Sequence, residues 1–313
     1  MAIWKAEKTL AAIHYAIMED GGNRFRWLEG QAFPLMSDAY RADEDARRSH
    51  MGASQIGKEC DRSLWYGFRW FSKFKPRGRN DESDLEAGSR MIRLWNRGHL
   101  EEARFLALLW LIGCTIYQQD AEGKQFRIAE FGGHFGGSGD SIAYGVPELP
   151  HGIPALSEYK THGAKSFAKL IEHGVQMAKP EHYTQMQVYM YKFGLQYALY
   201  LAVNKDTDDL WAEIIILDPD IGKMAIERAG RIIFAEQAPK RVRYASPGFT
   251  TCRFCDDKDV CFGTVAPERN CRTCNASLFG LNGGIVCTDT GEVLDKAKQK
   301  VGCQNYRVHG AYR

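Results

Sequence analysis

The sequence has no apolar run of membrane-spanning length. Its longest, Phe105–Ile112, is closed by Gly113, far short of the roughly 20 residues a helix needs to cross a bilayer. The N-terminus also lacks the basic, apolar and small-residue succession of a secretory leader. An excess of charge of one sign is missing too. Lys and Arg number 41 against 39 Asp and Glu, for a formal net charge of +2, so any contact with a polyanion must come from local patches. There is no internal repeat, no low-complexity stretch and no Gly-x4-Gly-Lys-Ser/Thr phosphate loop, so any nucleotide-driven motor would have to be a partner. These absences leave a soluble, intracellular chain that does not bind polyanions through bulk charge.

What is present is cysteine. Nine cysteines in a reducing compartment are not expected to pair as structural disulfides, and 313 residues with 44% hydrophobic content can bury a core without such staples. Metal ligation accounts better for them, and the spacing agrees. Cys252-x2-Cys255-x5-Cys261 is followed by Cys271-x2-Cys274, then Cys287 and Cys303, with Cys60 far upstream. Cys114 ends an apolar helix and reads as a buried thiol. Two sets of four and one spare is the simplest division.

Periodicity places these residues on elements. Residues 1–30 read as an amphipathic helix running into a Gly21-Gly22 breaker, and another helix begins near Ser54, carrying Cys60. A long helix spans about Asp84–Gly113. The period then shortens: Thr115–Gln119, Gln125–Phe131, His134–Tyr144 and Ile153–Lys160 read as strands. Helices over Ala164–Gly174 and Pro180–Phe193, strands over Tyr197–Val203 and Trp211–Leu217, and a helix over Pro219–Gln237 follow. The fold class is α/β, a central mixed sheet flanked by helices. A helical N-terminal lobe is expected over 1–83, the core over 84–245 and a cysteine-rich metal-binding tail over 246–313.

One strand pair can carry chemistry. Side chains alternate along a strand, so Glu158 and Lys160 share a face, and a neighbouring strand can bring Asp140 beside them. Two carboxylates suit Mg²⁺ or Mn²⁺, which acidifies a bound water and offsets phosphate charge. Lys160 would orient or deprotonate that water, or offset developing negative charge. Glu-x-Lys alone is weak, since it is commonly solvated strand charge. On the long helix, Glu102 shares a face with Trp95, Phe105, Leu106 and Leu109, where a carboxylate is costly unless paired or metal-bound. Glu101 turns towards Arg97 and Arg104 as an exposed charge. His99, one turn before Glu102, is a metal ligand, a support behind one, a phosphate contact or a packed helix histidine. Gln185 and Tyr189 stand at i, i+4, with Gln187 and Tyr191 an equally spaced alternative.

The series Gly98-x3-Glu102, Gly137-x2-Asp140, Glu158-x-Lys160 and Gln185-x3-Tyr189 resembles the RecB-like branch of the PD-(D/E)XK nucleases. That branch includes AddB-type nuclease domains, phage lambda-type exonucleases and CRISPR-associated iron–sulfur exonucleases. The resemblance covers roughly residues 50–263. It implies a restriction-endonuclease-like core in which Glu102, Asp140 and Glu158 are metal ligands and Lys160 is the catalytic lysine. Gln185 and Tyr189 match a motif that contacts DNA and supports the site, whereas His99 departs from the family position. The resemblance further implies that Cys60, Cys252, Cys255 and Cys261 bind a [4Fe–4S] cluster, with zinc as the alternative.

Cys271, Cys274, Cys287 and Cys303 read as a separate Zn²⁺ site, in which His309 could replace one ligand. A rival division joins Cys252 and Cys255 to Cys271 and Cys274, leaving Cys60 without a role. Arg69, Lys73, Lys75 and Arg77 alternate with Trp70, Phe71 and Phe74. That mixture suits single-stranded DNA, or a core edge with solvated charge. Lys240, Arg241 and Arg243 read as a helix-end charge cluster.

The expected function is a Mg²⁺- or Mn²⁺-dependent deoxyribonuclease, an exonuclease acting on DNA that is single-stranded or has free ends. Helicase or recombinase partners are expected, in the cytoplasm of a bacterial host if the chain is phage-encoded. The alternative is a DNA-binding or partner-recruiting protein that keeps the fold without cleavage.

Overall fold

The computed structural model describes residues 2–40, 47–73, 85–310 and 312. By contact the chain forms two compact units, each assembled from three stretches. The first comprises Met1–Ala46, Lys75–Arg127 and Ser138–Gly222; the second comprises Arg47–Phe74, Ile128–Gly137 and Lys223–Arg313. The expected linear division at residues 83 and 245 does not coincide with these units, because residues 47–74 group with the cysteine-rich tail.

The first unit is a mixed five-stranded sheet with helices on both faces. Its strand order is β2 (Thr115–Tyr117), β5 (Ser141–Tyr144), β6 (Ala155–His162), β7 (Tyr197–Asn204) and β8 (Leu210–Ile216). Only β6 and β7 run parallel; the other neighbours are antiparallel. The parallel step requires a crossover, supplied by α5 (Ala164–Ala178) and α6 (Pro180–Phe193). Alternation divides the side chains. Ala155, Tyr159, Leu199, Leu201, Ala212 and Ile214 enter one core with Leu10 and Ile13 of α1 (Glu7–Glu19) and with Phe105, Leu106 and Leu109 of α4 (Leu85–Leu111). The Phe105 and Tyr159 rings stack there, 5.3 Å between centroids.

On the opposite face stand Glu158, Tyr200 and Glu213, aligned in register across β6, β7 and β8. The crossover helices cover them, with Val175 N–H donating to Glu213 at 2.9 Å and His182 bonding to Tyr200. Burying polar side chains on this face is costly unless each finds a partner. That cost separates the working face of the sheet from its apolar one.

The second unit holds α3 (Asp61–Arg69), a three-stranded sheet ordered β1 (Met51–Gly52), β4 (Phe135–Ser138) and β3 (Arg127–Glu130), and the hairpin of β9 (Ser277–Phe279) and β10 (Ile285–Cys287). Its core is aromatic. Trp65 stacks on Phe71 at 4.9 Å, and the Arg272 guanidinium lies over Phe68, Trp70 and Phe279 while donating to the Phe68 carbonyl. Arg228, on α7 (Pro219–Ile233), clamps the segment before α3 through Asp61 and the carbonyls of Ile56 and Lys58.

Three element expectations change. Gly21 and Gly22 break the first helix as expected, at positive φ, but a further helix, α2 (Asn23–Ala32), follows them. The helix expected from Ser54 starts at Asp61, and Ser54 lies in a single 3-10 turn. The strand expected over His134–Tyr144 is two strands in different sheets, interrupted at Gly139–Asp140.

Candidate metal and nucleic-acid site

The interruption between β4 and β5 delivers Asp140 beside the middle of β6. Its Oδ2 accepts the Tyr159 backbone N–H at 3.0 Å, which seats the carboxylate between the side chains of Glu158 and Lys160. Glu158 is fully buried. Its Oε1 takes the Lys160 ammonium, and its Oε2 is buried with no hydrogen-bond partner. Glu102 on α4 is half-exposed, 3.5 Å from His99 Nδ1, and lines one cavity with Lys160.

The charges in this corner act on one another. Burial, and then the Glu158 carboxylate, push the Asp140 carboxyl up to about 8, with Glu102 adding to the shift and Lys160 opposing it. Burial works against the Lys160 ammonium, but Glu158, Asp140 and Glu102 outweigh it and hold it above its ordinary range. A buried carboxylate oxygen without a donor, beside a carboxyl that holds its proton past neutrality, marks a shortage of positive charge. The hard oxygen donors of Asp140, Glu158 and Glu102 fit Mg²⁺ or Mn²⁺. As they stand, no three His, Cys, Asp or Glu side chains among the described residues are gathered to hold an ion; to bind one, the carboxylates would have to draw closer.

The remaining sequence candidates divide. Glu101 does turn to Arg97 and Arg104, at 3.8 and 3.0 Å, but it is buried at 5% exposure, because Arg104 folds over it and also reaches Asp208. Gln185 and Tyr189 are both buried, and the Tyr189 ring stacks on Phe193. The alternative Gln187 is a structural clasp, donating to the Ile216 carbonyl at 3.0 Å and accepting the Asp218 N–H at 2.7 Å.

Arg69 is not a surface contact for DNA. It is buried at 4% exposure over Trp65 and Phe279 and donates to the Ala235 carbonyl. Trp70 and Phe71 are core residues. Lys73 is exposed, whereas Lys75, Arg77 and Phe74 lie outside the described residues.

The cysteines fall into two neighbourhoods. Cys60, Cys252, Cys255 and Cys261 line one cavity. There Ser63 lies 3.5 Å from Cys255 Sγ, and Arg241 Nε donates to Cys261 Sγ at 3.4 Å. The Cys252 thiol is raised by burial and by Cys60 and Cys261. Cys271 is raised by burial and by Cys303, Cys274 and Cys287. Four cysteines lining one cavity are a donor set that an iron–sulfur cluster or a zinc ion would fit. His309 packs edge-on to Trp65, 5.6 Å between ring centroids. Cys114 is buried, its thiol pushed up to about 11, first by burial.

Sequence reasoning missed a polar network beside Lys160, made of His162, Ser166, Lys179, His182 and Tyr200. One signal was available: His162 continues the alternation of Glu158 and Lys160 on the same face of β6.

No protein-family model matches the chain, and no curated protein matches it. Solved structures of similar fold include SSO0001, at 15% identity and a TM-score of 0.39, covering 77% of this chain and 97% of that one. The alkaline exonuclease LHK-Exo from Laribacter hongkongensis is similar at 17% identity and a TM-score of 0.36, covering 60% of this chain and 88% of that one. Its complex with dAMP gives a TM-score of 0.37 over the same shares.

Proposed function

We propose that this chain is a metal-dependent deoxyribonuclease that hydrolyses phosphodiester bonds at DNA ends. The observation that carries the reading is Glu158 Oε2, fully buried without a hydrogen-bond partner beside Asp140 and Lys160. A structural ion pair would satisfy both oxygens of so buried a carboxylate. Here one oxygen is kept for a cation.

Asp140, Glu158 and Glu102 would hold Mg²⁺ or Mn²⁺. That ion supplies Lewis acidity to a phosphate and makes water a nucleophile near neutral pH. The chain's own residues do the rest. Lys160, tied to Glu158, holds its proton and places a positive charge where phosphate negative charge develops. The Tyr159 backbone N–H fixes the Asp140 carboxylate. Tyr159, stacked on Phe105, closes the apolar side of the site. In this reading the attacking group is water.

Cys60, Cys252, Cys255 and Cys261 are proposed to hold a [4Fe–4S] cluster, and Cys271, Cys274, Cys287 and Cys303 a zinc ion. Both are assigned a structural role. The support is the cavity the first four line and the mutual neighbourhood of the second four.

The test is cleavage of end-labelled single- and double-stranded DNA by anaerobically purified protein with Mg²⁺ or Mn²⁺, beside Asp140→Asn and Glu158→Gln. Loss of at least about 100-fold in either variant is expected, the scale of removing an electrostatic group from a hydrolytic site. A ladder shortening from one end would establish exonuclease action. Equal cleavage by wild type and both variants would remove the assignment, and DNA binding without cleavage would favour the non-catalytic alternative.

A further inference from the structure

Beyond the carboxylates, the cavity containing Lys160 is walled by Lys179 and by His162 and His182. These groups are joined by one run of hydrogen bonds. Lys179 Nζ donates to Ser166 Oγ. Ser166 Oγ lies 3.2 Å from His162 Nδ1, His162 Nε2 lies 2.8 Å from the Tyr200 hydroxyl, and that hydroxyl lies 2.9 Å from His182 Nδ1.

The run has a direction because an ammonium can only donate. The Ser166 hydroxyl accepts from Lys179 and keeps its own proton and a second lone pair; His162 Nδ1 is the acceptor the run offers for that proton. A neutral His162 then carries its proton on Nε2 and gives it to Tyr200. The Tyr200 hydroxyl donates to His182 Nδ1, so His182 holds its proton on Nε2. The opposite direction leaves the Ser166 proton without a place in the run. Both rings are kept neutral, His162 lowered to about 4 by burial, Lys179, Lys160 and Lys205, and His182 to about 3 by burial, Lys160, His162 and Lys179. Each imidazole therefore has one donor and one acceptor, as the run requires.

The geometry points to a second phosphate subsite in this cavity, in which Lys179 and the His182 Nε2–H bind a nucleic-acid phosphate group next to the one being cleaved. Of the two ammonium groups lining the cavity, that of Lys160 is tied to Glu158, and that of Lys179, held by the Ser166 hydroxyl, is the cation left to meet an anion there. The neutral imidazole donor adds direction without a charge that titrates near neutrality. Tyr200, buried under the sheet face, is a positioning residue that sets which His182 nitrogen donates. Naming the ligand as nucleic acid rests on the nuclease reading; the anion site itself does not. The phosphate is either the terminal monoester of an end or a backbone diester, and the substrates below separate the two.

Binding would be measured by fluorescence anisotropy with short single strands in EDTA, so that cleavage plays no part. The strands carry 5′-phosphate, 5′-hydroxyl, or one neutral methylphosphonate linkage moved along the chain. Lys179→Met and His182→Leu are expected to weaken binding about ten-fold or more, the scale of a lost charge-assisted hydrogen bond. The loss should vanish on the one strand whose contacted phosphate is already neutral or missing. His182→Gln, which keeps a donor, should bind within about three-fold of wild type, and Tyr200→Phe should behave as His182→Leu does with its thermal unfolding still cooperative. Sensitivity to the 5′-phosphate identifies the terminal group, and sensitivity to one internal methylphosphonate identifies a diester. An equal loss on every strand, or none in either variant, would overturn the subsite. Wild type that shows these effects but never cleaves with Mg²⁺ or Mn²⁺ would keep the anion site and remove the nuclease assignment.

Discussion

At the scale of single residues, Asp140 links the site to pH. Its carboxyl in the folded, metal-free protein is pushed up to about 8, mainly by burial and then by Glu158, whereas an unfolded chain releases that proton near pH 4. A divalent cation must displace the proton. Mn²⁺ affinity is therefore expected to tighten as pH rises from 6 to 8 and to level off above, by up to about ten-fold per unit if this single proton is released. Calorimetric titration at several pH values checks it, and an affinity flat over that interval would contradict the assignment. Stability without metal runs the other way. A group whose folded pKa is raised stabilises the fold fully below its unfolded pKa and loses that contribution as pH rises through the folded pKa. Metal-free wild type should therefore lose Tm between pH 5 and 9. Asp140→Asn should lose less and melt at least about 2 °C above wild type at pH 9. The same substitution would abolish cleavage and stabilise the apo-protein, a combination a merely structural carboxylate does not produce.

At the scale of elements, α6 shows how function and packing share one helix. Pro180 opens it and Gly194, at φ 69°, closes it, so both ends were legible from sequence and the observed bounds match the expected ones. The roles of its glutamines were not. Gln185 and Gln187 have equal claims by spacing, but Gln187 bonds both the Ile216 carbonyl and the Asp218 N–H, partners that only the folded chain brings near. Gln187→Ala should cost about 1–3 kcal/mol by leaving those backbone groups unsatisfied, read as a lower denaturation midpoint with DNA affinity unchanged. Gln185→Ala should leave the midpoint closer to wild type. The same limit explains the other departures. Glu101 and Glu102 differ by one step of helix rotation, too fine for a periodicity argument once Arg104 can fold over a carboxylate. Arg69 reads as a surface cation because its cover, Trp65 with Phe279 from far along the chain, has no local signature. The break at Gly139–Asp140 hides inside a continuous alternation, although it is what places the Asp140 carboxylate.

At the scale of the whole molecule, the second unit gathers three stretches that are distant in sequence, and only the cysteines of the first and last hinted at the gathering. Cys60 belongs to its first stretch and Cys252, Cys255 and Cys261 to its last. A metal centre across them would close a loop of most of the chain, a constraint on the unfolded state of order 5 kcal/mol by analogy with a long disulfide loop. Cys271, Cys274, Cys287 and Cys303 all lie within the last stretch, where a zinc ion would staple a segment with only short strands and a four-residue helix, Lys296–Gln299. The two centres therefore make separable predictions. Cys60→Ala, purified anaerobically, should lose its bound iron and its visible absorbance, keep one zinc, and melt well below wild type. Cys274→Ala should keep the iron and lose the zinc. Metal analysis of both variants decides between the divisions. If the Cys274 substitution removes the metal that Cys252 and Cys255 hold while Cys60→Ala keeps it, these four cysteines form one site in the rival grouping, and Cys60 is left as an ordinary thiol before α3.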